Sequence, residues 1–202
     1  ERTIDKLQNQ IKIHYHHWPN LNDRKTTKRL GDVAKEDYFA VTGDDDFFIP
    51  DSLSKCAEFL EKNPDYRTTQ GKGVLFSLEV SGPHGPFSSL TSYWTNNESL
   101  YNTASERIAH FGKNYWVPEF SVHRREEYIE DSQIYGTITD SSFGELIHNF
   151  TFISKGKSKN IDCLYLIRQG HDTRYVQPTI IEKILHQDCQ LNFQILKEVA
   201  IR

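Results

Sequence analysis

Residues 38–50 read YFAVTGDDDFFIP, and this stretch decides the fold. Its first half is a run of β-forming, mostly apolar residues of the kind that makes a buried strand. Three consecutive aspartates follow at 44–46, and carboxylates held this close repel one another unless a cation lies among them. Mg²⁺ and Mn²⁺ prefer such oxygen ligands. The stretch therefore predicts a metal site at a strand end. A solvated acidic turn, or capping of the next helix by Asp51 and Ser52, is the alternative.

Composition limits the class of protein. The chain has 202 residues and a formal net charge of −4, which fits one globular domain and argues against a general nucleic-acid binder. No apolar run reaches the length of about 18 residues that spans a bilayer. The three cysteines, Cys56, Cys163 and Cys189, show no metal-ligand spacing and form no even disulfide set. We therefore expect a protein of a reducing compartment without a transmembrane segment.

The segments before the aspartates predict a βαβ unit. Residues 11–15 alternate like a short strand, 22–36 have the pattern of an amphipathic helix with a basic face, and 37–42 form the buried strand. Strand, helix and strand in this order favour parallel pairing. Ligands of open α/β sheets bind beyond the carboxyl ends of the strands, which is where the aspartates lie. The order of these elements therefore strengthens the prediction of a metal site.

The rest of the chain mixes helices and strands. Local patterns predict helices at 50–63, 105–111 and 140–149, strands at 74–80, 120–123 and 164–167, and an irregular, contact-bearing loop at 87–101. Apolar periodicity after residue 180 predicts a C-terminal helix. Because the chain starts at Glu1 and contains no Met, we expect a fragment. We divide it into an N-terminally incomplete core at 1–177 and a truncated helical segment at 178–202.

These residues resemble the family 2 glycosyltransferases of the GT-A fold, in which a buried strand ends in an Asp-rich metal motif followed by aromatic residues, Pro and a helix. The sequence FLEKNPDY at 59–66, with Gly71 after it, is similar to one bacterial subgroup. The likeness runs over roughly residues 11–172, through SVHR at 121–124, DSSFGE at 140–145 and IRQGH at 167–171. It implies an α/β fold with a GT-A-like, Rossmann-related, mostly parallel sheet flanked by helices, here lacking its first strand.

Two departures from the family pattern change what the resemblance implies. The family opens with a strand and loop that hold the nucleotide base, including a Thr-x-Asn-Arg-like stretch, and nothing before Ile11 matches it. Many members also carry Asp-x-Asp-Asp before the aromatic pair, whereas Gly43 stands in the place of the first of those aspartates. The pair formed by Asp44 and Asp45 must then coordinate the ion.

The resemblance implies an inverting, metal-dependent transfer of a sugar. The donor is a nucleotide-sugar, UDP-linked by analogy, and the acceptor is a glycan or a lipid-linked molecule. Mn²⁺ or Mg²⁺ is the implied cofactor, and the candidate ligands are Asp44, Asp45, Asp46 and His171. The subgroup further implies polysaccharide synthesis in a bacterium, with the protein in the cytoplasm or peripheral to the inner face of the membrane, as part of a larger multidomain chain or complex.

Further residues receive roles from the same resemblance. Inversion needs a general base, for which Asp140 is the first candidate and Glu145 the second. Besides Asp44 and Asp46, the donor is expected to contact Lys25 and Arg29, and the acceptor to contact Trp94, Tyr115 and Trp116. Each role has a structural alternative: helix capping for Asp140 and Asp46, a solvated helix face for the basic residues, core packing for the aromatic ones and a surface loop for His171.

Two other functions explain part of the same pattern. A nucleotidyltransferase or another phosphoryl-transfer enzyme also needs paired aspartates at a strand end. A non-catalytic carbohydrate-binding or scaffold module could keep the fold without the donor site. Nucleotide-sugar turnover that depends on Asp45 distinguishes the transferase from the scaffold.

Overall fold

The computed structural model describes residues 2–7, 10–43, 45–80, 82, 84–93, 95, 97–136, 138, 141–170, 182 and 185–201. Its helices are α1 (Arg2–Leu7), α2 (Asp23–Val33), α3 (Pro50–Lys62), α4 (Ala104–Lys113), α5 (Arg125–Asp131), α6 (Ser141–Lys155) and α7 (Cys189–Ile201). Its strands are β1 (Tyr38–Ala40), β2 (Asp46–Phe48), β3 (Tyr66–Leu78), β4 (Phe87–Tyr93), β5 (Val122–Arg124) and β6 (Lys157–Gly170). None of the described helices has the length and apolar character needed to cross a bilayer.

The described strands form one mixed sheet. Its order is β1-β5-β3-β6-β2, and β4 pairs with the second half of β3. Among these pairings only β3 with β6 is parallel, and the other four are antiparallel. The expectation of an α/β fold is therefore confirmed, whereas the expectation of a mostly parallel sheet is wrong. β3 and β6 are parallel because a long crossover containing α4, α5 and α6 joins them.

The predicted βαβ unit at the start of the chain does not form. Residues 11–17 have no regular structure. Ile11 and Tyr15 belong to the segment that alternates like a strand in the sequence. Their side chains are 58% and 55% exposed, so they are not packed against a sheet. Within the described sheet, the neighbour of β1 is β5, and that pair is antiparallel.

Helices α2 and α3 lie where the sequence predicts them. Asn22 caps α2, because its side-chain oxygen accepts a hydrogen bond of 3.0 Å from the backbone N–H of Lys25. Pro50 occupies the first turn of α3, where its missing N–H costs nothing. Cys56 and Leu60 on α3 are fully buried against β5 and β6. This packing fixes α3 against the sheet, and Phe48 of β2 packs on the same cluster.

The region predicted as a loop at 87–101 contains a strand. β4 forms an antiparallel hairpin with β3, with partners running from Gly73 opposite Tyr93 to Leu78 opposite Phe87. Nearly all β4 side chains are exposed on both faces. A two-residue alternation of apolar and polar residues arises only when one face is buried, so the sequence carries no strand signal here.

A second apolar cluster lies between α4 and α6. Phe111, Trp116 and Ile153 are buried together, with Phe150 packed against them. α6 extends to Lys155, beyond the predicted end at 149, and α7 packs on it. This cluster fixes the C-terminal half of α6, the helix that also carries the candidate base Glu145.

Candidate functional site

The acidic stretch leads into β2, and its last aspartate is buried in an ion pair. The register of β2 and β6 places Asp46 opposite Arg168. Arg168 Nε donates to Asp46 Oδ1 at 2.6 Å, and Nη2 donates to Oδ2. Asp46 is 8% exposed. Both carboxylate oxygens of Asp46 are therefore engaged by a forked guanidinium contact.

Aromatic side chains complete the surroundings of Arg168. Its Nη1 donates to the hydroxyl of Tyr93 at 2.9 Å, and its guanidinium carbon lies 5.5 Å from the Tyr93 ring centre and 5.3 Å from that of Phe120. The hydrogen bond with Asp46 raises the pKa of Arg168 above its ordinary value. Arg168 thus stays charged and neutralises Asp46. Asp46 therefore has a structural partner in Arg168. The predicted roles of Asp46 as metal ligand and donor contact remain predictions, and the ion pair does not favour them.

Asp45 is the described aspartate that best fits a metal ion. It is half-buried. A Cβ atom added to Gly43 would lie 2.8 Å from Asp45 Oδ1 and 3.4 Å from Asp46 Oδ2, so both carboxylates bend over this glycine. A larger residue at 43 would occupy the space that these oxygens share. The missing side chain at 43 therefore leaves room for the Asp45 carboxylate, an oxygen ligand of the kind that a hard divalent ion prefers.

The full predicted ligand set cannot be placed. Asp44 and His171 lie outside the described residues. Among the residues that the structure does describe, no three His, Cys, Asp or Glu side chains gather closely enough to hold a metal ion. The metal site stays a prediction that rests on Asp45 and on the adjacent Asp44.

A cavity of about 670 Å³ lies beside β1 and α2. It is lined by three residues of the segment 12–16, by Thr27 and Leu30 of α2, by residues 33–36 at the end of that helix and in the link after it, and by residues 39–42. Thr42 is followed at once by Gly43 and the acidic stretch. The residues from the segment 12–16 are Lys12, His14 and His16. The cavity has the size of a pocket for a small organic ligand.

The two basic residues predicted to contact the donor do not line this cavity. Lys25 and Arg29 are exposed and lie on the side of α2 away from Thr27 and Ala34. The Arg29 guanidinium lies 4.8 Å from the ring centre of Trp18. The donor role of both residues stays a prediction without support from their placement.

Glu145 is held by a tyrosine. The hydroxyl of Tyr115 donates to Glu145 Oε1 at 2.6 Å and accepts a hydrogen bond of 3.3 Å from Asn149 Nδ2. Burial, and then Glu145, raise the pKa of Tyr115 well above its ordinary value, so this hydroxyl stays protonated. Asp140, the other candidate base, lies outside the described residues.

Of the aromatic residues predicted to contact the acceptor, one is part of the core. Trp116 is 5% exposed and packs against Phe111 and Ile153, so it has no face open to a sugar. Tyr115 is 47% exposed and stays available. Trp94 lies outside the described residues.

Two arginines near the site were missed from the sequence. Arg168 follows an apolar strand, but its role depends on a register with β2 that local patterns do not reveal. Arg24 is buried on α2, although the sequence predicts a solvated basic helix face there. No sequence signal separates Arg24 from the exposed Lys25 beside it.

Comparison with known proteins gives a likeness at the level of fold. No family model and no curated protein matches the chain. Among solved structures, it is similar to the crystal structure of S. aureus TarS 1–349, with a TM-score of 0.52 and 12% sequence identity. The match covers 98% of this chain and 56% of the TarS chain, so the protein spans little more than half the length of that structure. The described α/β architecture is therefore a fold that the protein shares with TarS 1–349.

Proposed function

We propose that the protein is a metal-dependent, inverting glycosyltransferase that moves a sugar from a nucleotide-sugar, UDP-linked by analogy, to a glycan or lipid-linked acceptor. One observation carries the proposal. The half-buried carboxylate of Asp45 bends over Gly43, directly after the cavity-lining residues Val41 and Thr42. The fold likeness to TarS, a glycosyltransferase, supports the same class of reaction.

The cavity beside β1 would take the nucleotide. Its volume suits a nucleoside, and its position next to the acidic stretch would leave the diphosphate near Asp45. Lys12 would offset part of the diphosphate charge, and His14 and His16 would offer hydrogen bonds to it. Lys12 also forms an exposed ion pair of 3.6 Å with Glu36, which a phosphate can replace at little cost because such surface pairs are weak.

Asp44 and Asp45 would hold the divalent ion. When bound, Mn²⁺ or Mg²⁺ would act as a Lewis acid toward the charge that grows on the leaving diphosphate. Asp46 would have an indirect role. Its ion pair with Arg168 would fix the start of β2, and with it the direction of the adjacent Asp45 side chain. His171 remains a proposed further ligand.

The acceptor would be activated at the first turn of α6. Asp140 would take the proton of the attacking hydroxyl, because one carboxylate oxygen of Glu145 is already engaged by the Tyr115 hydroxyl. The half-exposed ring of Tyr115 would offer a face to the acceptor sugar.

Hydrolysis of nucleotide-sugars tests the proposal. The protein is incubated with a panel of UDP-sugars and Mn²⁺, and release of UDP is followed. We expect Asp45→Asn to lower the rate by about a hundredfold or more, since it removes a ligand for transition-state charge. Asp51→Asn, an exposed aspartate in the first turn of α3, is the matched control and keeps the rate.

Two results would refute this function. Equal rates with a chelator and with Mn²⁺ would contradict metal dependence, and release of UMP and sugar phosphate in place of UDP would indicate the phosphoryl-transfer alternative. Lack of turnover and of UDP binding in the folded protein would favour the scaffold alternative.

A further inference from the structure

Two of the three cysteines contact each other in the layer between α3 and the sheet. The thiol of Cys56, on α3, has the thiol of Cys163, on β6, as a hydrogen-bond neighbour, and Thr69 of β3 is a second neighbour. Both cysteines are free thiols. Closing this contact to an S–S bond of about 2.05 Å needs a small approach of the two sulfurs.

Contacts at the start of α3 place Cys56 beside Cys163. Ser52 Oγ, in the first turn of α3, donates a hydrogen bond of 2.7 Å to the carbonyl oxygen of Leu164, the residue after Cys163. Residues four apart on a helix lie on the same face, so Cys56 follows Ser52 on the face that meets β6. Ser52 and Cys56 are 3% and 0% exposed, which agrees with this packing.

A glycine makes room for the sulfur of Cys163. A Cβ atom added to Gly71 of β3 would lie 2.6 Å from Cys163 Sγ, so this sulfur occupies the space beside the bare glycine. Thr69, which contacts Cys56, is two residues away on β3, and side chains two apart on a strand point to the same face. Both sulfurs therefore lie on the face of β3 that α3 covers.

The two thiols differ in their access to solvent. Cys163 is partly exposed, whereas Cys56 is fully buried. Burial, and then Cys163, raise the pKa of Cys56 well above its ordinary value, so Cys56 stays protonated. Because oxidants react with an accessible thiolate, Cys163 is the thiol that a small oxidant meets first. Cys56 is the second thiol, and its contact with Cys163 compensates for its small thiolate fraction, since groups held together react far faster than free ones.

We propose that Cys56 and Cys163 are a modification site, at which a hydroperoxide forms a reversible disulfide between α3 and β6. The hydroperoxide transfers its terminal hydroxyl to the Cys163 sulfur: the O–O bond breaks, an S–O bond forms, and the alkoxide takes the thiol proton. The Cys56 sulfur then attacks the Cys163 sulfur, the S–O bond breaks, and the hydroxyl leaves as water with the Cys56 proton. The two thiols lose two electrons, which reduce the hydroperoxide to an alcohol and water. A dithiol reverses the change by thiol–disulfide exchange.

Peptide mapping of the native protein tests the site. The protein is treated with hydrogen peroxide, the remaining thiols are alkylated, and linked peptides are identified by mass spectrometry. We expect a disulfide between Cys56 and Cys163 of one chain, which dithiothreitol removes. Cys189, a partly exposed thiol on α7, supplies the control, and Cys189→Ser should leave the disulfide unchanged. A disulfide of Cys163 with Cys189, a disulfide between molecules, or oxidation of Cys163 without any disulfide would overturn the proposal.

Variants of Cys56 test its role as the second thiol. In Cys56→Ala the oxidised Cys163 has no thiol beside it, so we expect trapping of its sulfenic acid by dimedone to rise by about tenfold or more over the wild type. Cys56→Ser, which keeps the size of the side chain, is the second variant and should show the same rise. Equal trapping in the wild type and in these variants would show that Cys56 does not react, and would overturn the proposal.

Thermal unfolding shows whether the disulfide fits the native fold. A cross-link between residues 56 and 163 closes a long loop and lowers the entropy of the unfolded chain, so we expect the oxidised protein to have a Tm higher by about 5 °C or more. A Tm equal to or below that of the reduced protein would show that the bond forms only in a distorted chain, and would overturn the native contact. The proposal does not depend on glycosyl transfer, so absence of UDP-sugar turnover would leave it standing.

Discussion

A buried ion pair between Asp46 and Arg168 connects the acidic stretch to the neighbouring strand β6. Their side chains are 1% and 14% exposed, and the pair lies between β2 and β6. Local sequence shows three equivalent aspartates, but the cross-strand register gives the third one a partner of its own. For this reason we assign the metal to its neighbours.

Removing Arg168 should destabilise the protein strongly. Arg168→Met leaves the Asp46 carboxylate buried without a counterion, and we expect a loss of about 3–5 kcal/mol in the free energy of unfolding. Urea denaturation measures this loss. Lys72→Gln breaks the exposed pair with Asp162 and should cost less than about 1 kcal/mol. Equal losses in the two variants would contradict a buried, structural role for Arg168.

His123 makes stability depend on pH. It is 1% exposed, and its Nε2 lies 3.1 Å from the carbonyl oxygen of Pro118. Burial, and then the neighbouring His148, lower its pKa from 6.5 to about 3. Below pH about 6.5 His123 binds a proton in the unfolded chain but stays neutral in the folded protein. The free energy of unfolding therefore falls as the pH falls from about 6.5 toward 3.

The expected loss from His123 between pH 7 and pH 5 is about 2 kcal/mol. Urea denaturation at several pH values measures it. His123→Gln keeps a side-chain donor for Pro118 but cannot titrate, so its stability should vary less over this range. An unchanged pH dependence in His123→Gln would show that other groups cause it.

At the scale of elements, α3 and β3 illustrate what the sequence can and cannot predict. α3 was predicted almost to the residue, because Pro50, its apolar stripe and Asn63 are local signals. β3 begins at Tyr66, eight residues before the predicted start, because its first half is polar. Thr68, Thr69 and Gln70 are fully buried there by pairing and hydrogen bonds with neighbouring strands, which no local pattern encodes.

The parallel contact of β3 and β6 depends on a glycine. A Cβ atom added to Gly71 would lie 2.5 Å from the carbonyl oxygen of Cys163 and 2.8 Å from Tyr165 Cβ. Because these atoms belong to the strand itself, Gly71→Ala should cost about 1–3 kcal/mol of stability. Gly112→Ala, in open space on α4, should be neutral or stabilise by up to about 1 kcal/mol. Similar urea midpoints for the two variants would contradict this close packing.

At the scale of the whole molecule, the proposed chemistry lies along the segment that leads from β1 to β2. The position of the acidic stretch at the end of β1 was predictable, since a buried strand followed by charge is a local feature. The cavity, the pairing of Asp46 and the burial of Arg24 were not, because each joins segments that are far apart in the chain. The mixed sheet was missed for the same reason.

Long-range charge also holds the body of the molecule together. Asp131 on α5 is 2% exposed and accepts hydrogen bonds of 3.0 Å and 2.9 Å from Arg67 of β3, while Lys155 of α6 lies 2.7 Å from it. This network ties the sheet to α5 and α6. Its contact with α6 is made at Lys155, the last residue of that helix.

The central claim is that Asp45 holds a divalent cation that in turn binds a nucleotide diphosphate. Calorimetric titration of UDP in the presence and absence of Mn²⁺ tests it most directly. We predict that UDP binding requires Mn²⁺ and weakens by about tenfold or more in Asp45→Asn, with Asp51→Asn unchanged. UDP affinity that is equal with and without Mn²⁺, or equal in wild type and Asp45→Asn, would contradict the claim.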